Sequence, residues 1–304
     1  MDLSRRTFLA GLGAAAVAPP GAPRAGGDEA PAIRFGYAAI TWRDRYLDAI
    51  ADVGAAGYRG IQLRANAVPP YKDDVGPLRD HLEKHGVLMV GLSSGNVALD
   101  NDLEAEVGKH LAHARFVKAL GGSYLQLLDN QKTADAALAA ARIEELGRRM
   151  SEIGKRAGDL GIMVVYHNHM GALGEAPDEV ARVLEASDER QVKLLLDTAH
   201  WQQGGGDPAA GMRKHAGRTR VLHLKDLVPA DDPRRPYKFV ELGEGRVDFP
   251  AFFAVLAETK WSGWAIVELD AVTRPGRSEK DSALLSKRYL EERIELKVRG
   301  PARG

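Results

Sequence analysis

The four stretches Ile162-Met-Val-Val-Tyr-His-Asn-His169, Val192-Lys-Leu-Leu-Leu-Asp197, Arg220-Val-Leu-His-Leu-Lys-Asp226 and Trp264-Ala-Ile-Val-Glu-Leu269 decide how this chain folds. Each is a short apolar run, the length of a strand rather than a helix, and each carries groups able to bind a proton or a metal at or near its C-terminal end. Similar runs lie upstream at 33–39, 58–63, 87–92 and 123–128, which brings the strand candidates to eight. Stretches with helical periodicity separate them, at 44–56, 74–85, 103–120, 134–160, 178–186, 208–216 and 249–259. Several of these close on a glycine just before the next strand, as at Gly57, Gly86, Gly121 and Gly161. Regular alternation of strand and helix implies parallel pairing through right-handed crossovers. Eight such units within 31–298 predict an α/β architecture, one closed (β/α)8 TIM barrel forming a single domain. An open doubly wound sheet is the competing arrangement, but no Gly-rich dinucleotide or phosphate loop follows the first strand.

The 304 residues carry 42 Lys and Arg against 42 Asp and Glu, so there is no net charge to attract a nucleic acid. Cysteine is absent, which removes disulfides, thiolate-bound zinc, iron–sulfur clusters and thiol nucleophiles. A metal in this chain would rest on histidines and carboxylates. The first thirty residues read differently from the rest. Ser4-Arg5-Arg6-Thr7-Phe8-Leu9 precede a small apolar run at 10–18 and a Pro/Gly/Ala stretch, the order of a twin-arginine export signal and linker over 1–30. That run is too short to span a bilayer of about 30 Å, and no later segment reaches the roughly 18 apolar residues of a membrane helix. The expectation is a periplasmic protein, exported by the twin-arginine machinery and lacking a stable membrane span.

In a parallel barrel the reactive groups gather where the strands end. Here those ends carry Trp42 after the first strand, Gln62 and Arg64 at the second, and Tyr166 to His169 at the fifth. They carry Asp197 and His200 at the sixth, His223, Lys225 and Asp226 at the seventh, and Glu268 and Asp270 at the eighth. Alternation places His167 with His169 on one strand face, and His223 with Lys225 on another. Imidazoles and carboxylates from separate strands suit a catalytic divalent ion that keeps a position open for substrate. Lys225 has two readings. Beside a cation its pKa would be depressed toward acid/base use, or it could simply pair with Asp226 or Glu268. The pairs His81/His85 and His110/His113 have metal-binding spacing but fall on outer-ring helices, so they read as solvated faces, as does the charge run 144–156.

Taken together, Tyr166-His-Asn-His-Met-Gly171, Leu194-Leu-Leu-Asp197-Thr-Ala-His200, His223-Leu-Lys-Asp226, Gly243-Glu-Gly-Arg-Val-Asp248-Phe and Val267-Glu268 resemble the xylose isomerase-like TIM-barrel family of sugar isomerases, epimerases and dehydratases. The first, third and fourth pieces are most similar to its inosose dehydratase branch. The resemblance implies one divalent ion, Mn, Co, Zn or Mg, held by a Glu on strand five, an Asp on strand six, a His on strand seven and a Glu on strand eight. Asp197, His223 and Glu268 match the last three. No Glu ends strand five, and His169 is the favoured replacement, with His167 or Tyr166 as alternatives. The resemblance also implies a small sugar or cyclitol substrate contacted by Trp42, Gln62, His200 and Arg246, with Lys225, Glu268 and His167 as the proton-transfer candidates. Proton abstraction next to a carbonyl would then lead to isomerisation or epimerisation if the proton returns, the first expectation because the family is mostly isomerases. Elimination, and hence a lyase or dehydratase, is the alternative, and the missing strand-five Glu counts against two-glutamate epimerisation. A non-catalytic sugar-binding barrel is disfavoured by the retained Asp197, His223 and Glu268.

Overall fold

The computed structural model describes residues 33–129, 131–232 and 235–295, so the export-signal reading of 1–30 lies outside the described residues. Eight parallel strands form the closed barrel: β1 Ile33–Ala38, β2 Gly60–Arg64, β3 Leu88–Asn96, β4 Tyr124–Leu128, β5 Met163–His167, β6 Val192–Asp197, β7 Thr219–Leu224 and, last in the chain, β10 Gly263–Val267. Consecutive strands are neighbours, and the seam closes where β1 pairs with β10, Ile33 opposite Gly263 through Tyr37 opposite Val267. Around them run α1 Tyr46–Ala56, α2 Gly76–Lys84, α3 Leu103–Ala119, α4 Ala136–Gly158, α5 Pro177–Ala186, α6 Thr198–Gln203, α7 Pro208–His215, α8 Phe249–Glu258 and α9 Glu279–Glu292. The expected (β/α)8 barrel is the observed one, with each expected strand present. None of the described helices is long and apolar enough to cross a membrane.

Alternation along the strands sorts the interior into layers. Val90, Tyr124, Val165, Leu195, Val221, Trp264 and Ile266 form an apolar plug inside the barrel, distinct from the larger core between strands and helices. Gly60 makes room for the plug, since a Cβ there would stand 2.7 Å from the Trp264 ring. Two residues further along six of the strands the inward side chains turn polar: Gln62, Gln126, His167, Asp197, His223 and Glu268, all buried. One more inward step reaches the mouth.

Two features differ from the sequence expectation. The segment after β7 folds into an antiparallel hairpin, β8 Asp226–Pro229 with β9 Tyr237–Val240, strands of four residues that carry too little alternation to be read from sequence. The turn of α3 expected to be solvated is instead buried. His110 is inaccessible, its Nε2 lying 3.1 Å from Glu106 Oε1 and its Nδ1 2.6 Å from Ser94 Oγ, which also lies 2.8 Å from His113 Nδ1. Within the charge run 144–156, Arg149 likewise turns inward and donates to the Ala98 and Asn101 carbonyls.

Candidate active site

One donor atom from each of His167, Asp197, His223 and Glu268 lies within 4.8 Å of the others. Four strands adjacent around the barrel deliver them at one height, because Asp197 pairs opposite His223 and Ile266, two residues before Glu268, also pairs with His223. Asp197 and His223 are aimed by their neighbours. Asp197 caps α6, its Oδ1 accepting from the His200 amide at 2.9 Å, while Oδ2 is left buried without a hydrogen-bond partner. Asn168 grips the Asp197 backbone, accepting from its amide at 2.9 Å and donating to its carbonyl at 3.3 Å. Gln62 Oε1 stands 3.1 Å from His223 Nε2 and also accepts from the Tyr124 hydroxyl at 2.6 Å, while Gln62 Nε2 donates to Gln126 Oε1. An acceptor oxygen at that position places a proton on His223 Nε2, so the ring turns Nδ1 to the cluster, 3.3 Å from Glu268 Oε2 and 3.6 Å from Asp197 Oδ2.

Three atoms around this point, His167 Nδ1, Asp197 Oδ2 and His223 Nδ1, are buried with no hydrogen-bond partner. Orphaned polar atoms facing buried carboxylates are costly unless a cation lies among them. Two nitrogens and two carboxylate oxygens from rigid strand ends therefore form a donor set that fits a divalent ion. The electrostatics agree. Burial holds the His167 imidazole well below its usual pKa, with neighbouring His223 and His169 acting the same way, so it presents a neutral ring. Burial would raise the Glu268 carboxyl, but His223 and Lys225 outweigh it and keep the group ionised.

Above the cluster opens a cavity of about 280 Å³, with His169, Lys225 and Asp270 on one wall and Arg64, Asn96 and Gln126 on the other. Several expected roles change here. His169 is not one of the four clustered donors: the inward residue of β5 level with Asp197 and His223 is His167, and His169 lies past the strand end at the mouth. Its Nδ1 is 2.6 Å from the Met170 carbonyl, so that nitrogen carries a proton and donates, and Nε2 is the nitrogen this bond leaves unused. Tyr166 points outward and donates to Asp129 at 3.1 Å. Lys225 is buried and bonded to both Glu268, at 2.8 Å, and Asp270. Burial alone would lower its pKa, but the two carboxylates outweigh it and raise it well above the ordinary value, opposite to the depression expected from sequence.

Of the expected substrate contacts, only Gln62 lines the cavity, and its amide is already occupied in orienting His223. Trp42 is a core residue, 1% exposed, donating to Asp52 and packed edge-on against Tyr37. His200 is a buried strut, accepting from the Met170 amide and standing 3.5 Å from Lys225 Nζ. Arg246 is exposed and reaches Gln203 instead. Its motif serves structure: the Asp226 carboxylate accepts from the amides of Leu227, Gly243, Gly245 and Val247, and a Cβ on Gly245 would stand 2.1 Å from it. Sequence reasoning gave no role to Asn168, to Thr198, which accepts from the Lys225 amide, or to Asp129, which holds Tyr166 and the Leu173 amide. Their one signal was a polar side chain at the position immediately after a strand, and all three are buried.

Relatives and solved structures place this geometry in context. Inosose dehydratase of Clostridium botulinum is 22% identical over 300 residues, covering 87% of this chain and 98% of its own. The structure of an L-ribulose 3-epimerase superposes with a TM-score of 0.69 at 16% identity, over 87% of this chain and 95% of that one. The IOLI protein with a bound zinc atom superposes at 0.68 and 17% identity, over 86% and 98%. Such remote structural likeness carries the fold alone. The sequence profile for the xylose isomerase-like TIM barrel matches residues 50–291, most of the barrel and every residue of the buried donor cluster. This chain belongs to the xylose isomerase-like TIM barrel family.

Proposed function

We propose that this protein is a divalent-metal-dependent enzyme that removes a proton from the carbon next to the carbonyl of a keto-sugar or keto-cyclitol, and that the neighbouring hydroxyl then leaves as water. The observation that carries the choice of elimination is His169, whose Nδ1 is tied to the Met170 carbonyl and whose Nε2 is left over to serve as the base in the wall of the cavity. One base can take the carbon proton and hand it to the departing hydroxyl on the same face, whereas epimerisation needs a second base on the opposite face. His167, Asp197, His223 and Glu268 would hold the ion, and the bound ion would polarise the carbonyl and share the charge of the enediolate. Lys225, kept protonated by Glu268 and Asp270, donates to the oxygen on which negative charge develops. The inosose dehydratase relative supports elimination, and the zinc-bearing neighbour supports a metal. The second reading, an isomerase or epimerase, begins with the same proton abstraction, and the L-ribulose 3-epimerase neighbour is its counterpart.

Turnover of keto-cyclitols, keto-sugars and 3-keto-glycosides by the metal-loaded protein in deuterated water, followed by NMR, separates these outcomes. Elimination appears as an unsaturated ketone one water lighter than the substrate, and isomerisation as deuterium in a rearranged sugar. Loss of the His169 base through His169→Ala is expected to slow turnover by about 10²–10⁴-fold with bound metal retained. A parental rate in that variant would remove His169 from proton transfer, and no metal-dependent turnover on the whole panel would sink the enzymatic reading. From Ser4-Arg5-Arg6-Thr7-Phe8-Leu9 we further propose that the twin-arginine machinery exports the protein to the periplasm.

A further inference from the structure

We infer that Arg64 is an anion-reading residue, and that the substrate carries a carboxylate at the end remote from its reacting carbonyl. This rests on the keto-sugar reading above and narrows its substrate class. Arg64 ends β2, one inward step beyond Gln62, and lines the cavity. In the order of strands around the barrel, β2 stands across from β6, so Arg64 faces the metal-ligand half from the opposite wall. A substrate whose carbonyl meets the cluster therefore presents its far end to the guanidinium.

The charge inventory of the cavity leaves Arg64 over. Lys225 is held by Glu268 and Asp270, and the carboxylates of Asp197 and Glu268 balance a divalent ion. Arg64 makes no hydrogen bond or ion pair with any described residue, although its side chain is half-buried. Partly desolvated guanidinium groups in proteins are ordinarily paired, and five fixed N–H donors without a partner match the two oxygens of a carboxylate. Phosphate fits less well. A dianion calls for several convergent donors, and the strand-eight rim, where barrels often bind phosphate, here presents the Asp270 carboxylate. Asn96 and Gln126, on the same wall as Arg64, complete a polar surface suited to the hydroxyls between the two ends.

The test compares keto-sugars with their uronate counterparts, in which the terminal hydroxymethyl group is a carboxylate, on the parental protein and on Arg64→Gln and Arg64→Lys. The parental enzyme should favour the uronate series in kcat/KM by roughly 10–100-fold, the range of a charge-assisted pair. Arg64→Gln should abolish that preference mainly through KM, and Arg64→Lys should restore part of it. Calorimetric binding of glucuronate against glucose, neither needing to react, reads the same preference without catalysis. Turnover of neutral keto-sugars with no uronate preference in rate or binding would overturn the inference and leave the keto-sugar reading standing. Arg64-dependent glucuronate binding without turnover of any keto compound would support the anion subsite and overturn the reading beneath it. A preference for sugar phosphates over uronates would also overturn it.

Discussion

At the scale of the residue, the site depends on one amide group. Gln62 Oε1 accepts from Tyr124 and from His223, and this fixes which nitrogen of His223 faces the cluster. The tyrosine can reach it only because residue 91 is glycine, since a Cβ there would stand 2.3 Å from the Tyr124 ring. We expect Gln62→Leu to weaken metal affinity by roughly 10–100-fold, as loss of an outer partner of a ligand usually does. Competition against a chelator measures this, and unchanged affinity would show that His223 holds its orientation without Gln62. Asp197, His223 and Glu268 were legible in sequence because each falls at the last inward position of an evident strand. The strand-five member of the donor cluster was misplaced by one inward step, His169 for His167, because the end of β5 has no breaker to mark it. Lys225 was misjudged for another reason. Its pKa is set by Asp270, whose proximity belongs to tertiary structure, not to spacing along the chain.

Among the elements, α3 shows how a charged turn becomes part of the core. Ser94 projects from β3 toward the helix and bridges His110 and His113, and Glu106 closes the chain by accepting from the Ala98 amide. Burial pushes His110 down to about 4, so it is neutral near pH 7 and its Nε2 proton goes to Glu106. Burial would raise Glu106, but Lys109 and the Ala98 amide outweigh it and bring it down to about 2. Both folded-state values lie below the unfolded ones, so the contribution to stability is present above each unfolded pKa and is lost on acidification. For His110 that window runs from about pH 6.5 down to about 4, and for Glu106 from about 4.5 down to about 2. We expect urea-unfolding stability to drop between pH 7 and 4 by up to the order of 3 kcal/mol through His110, a drop that His110→Gln should shrink. An identical pH slope in the variant would mean that His110 titrates as freely folded as unfolded. The burial of this turn was hidden in sequence because charges at helical spacing look the same on either face, and only the polar Ser94 opposite distinguishes them. The hairpin β8–β9 stayed hidden because its strands are stabilised by Asp226, which holds the downstream loop through the amides of Gly243, Gly245 and Val247.

The whole molecule was the most legible scale. Eight repeats of strand and helix leave few topologies, and parallel pairing with short connections leaves one closed form. What no periodicity could convey was the use of the cavity, since Arg64 and Asp270 fall at strand ends in the sequence but what faces them there belongs to tertiary structure. At this scale we expect a folded reporter fused behind residues 1–30 to reach the periplasm, and Arg5→Lys with Arg6→Lys to block it. Equal export of the two fusions would leave the segment without that role. The seam between β1 and β10 also sets a schedule. Ile33 leaves the ribosome long before its partner Gly263, by on the order of 10–50 s at roughly 5–20 residues per second. During that interval the first strand has a bare hydrogen-bonding edge and an uncovered apolar face, and no order of folding among the middle strands can shield it on the seam side. Nascent chains are therefore most open to mispairing at their earliest strand, and the last strand synthesised is the one that ends the exposure.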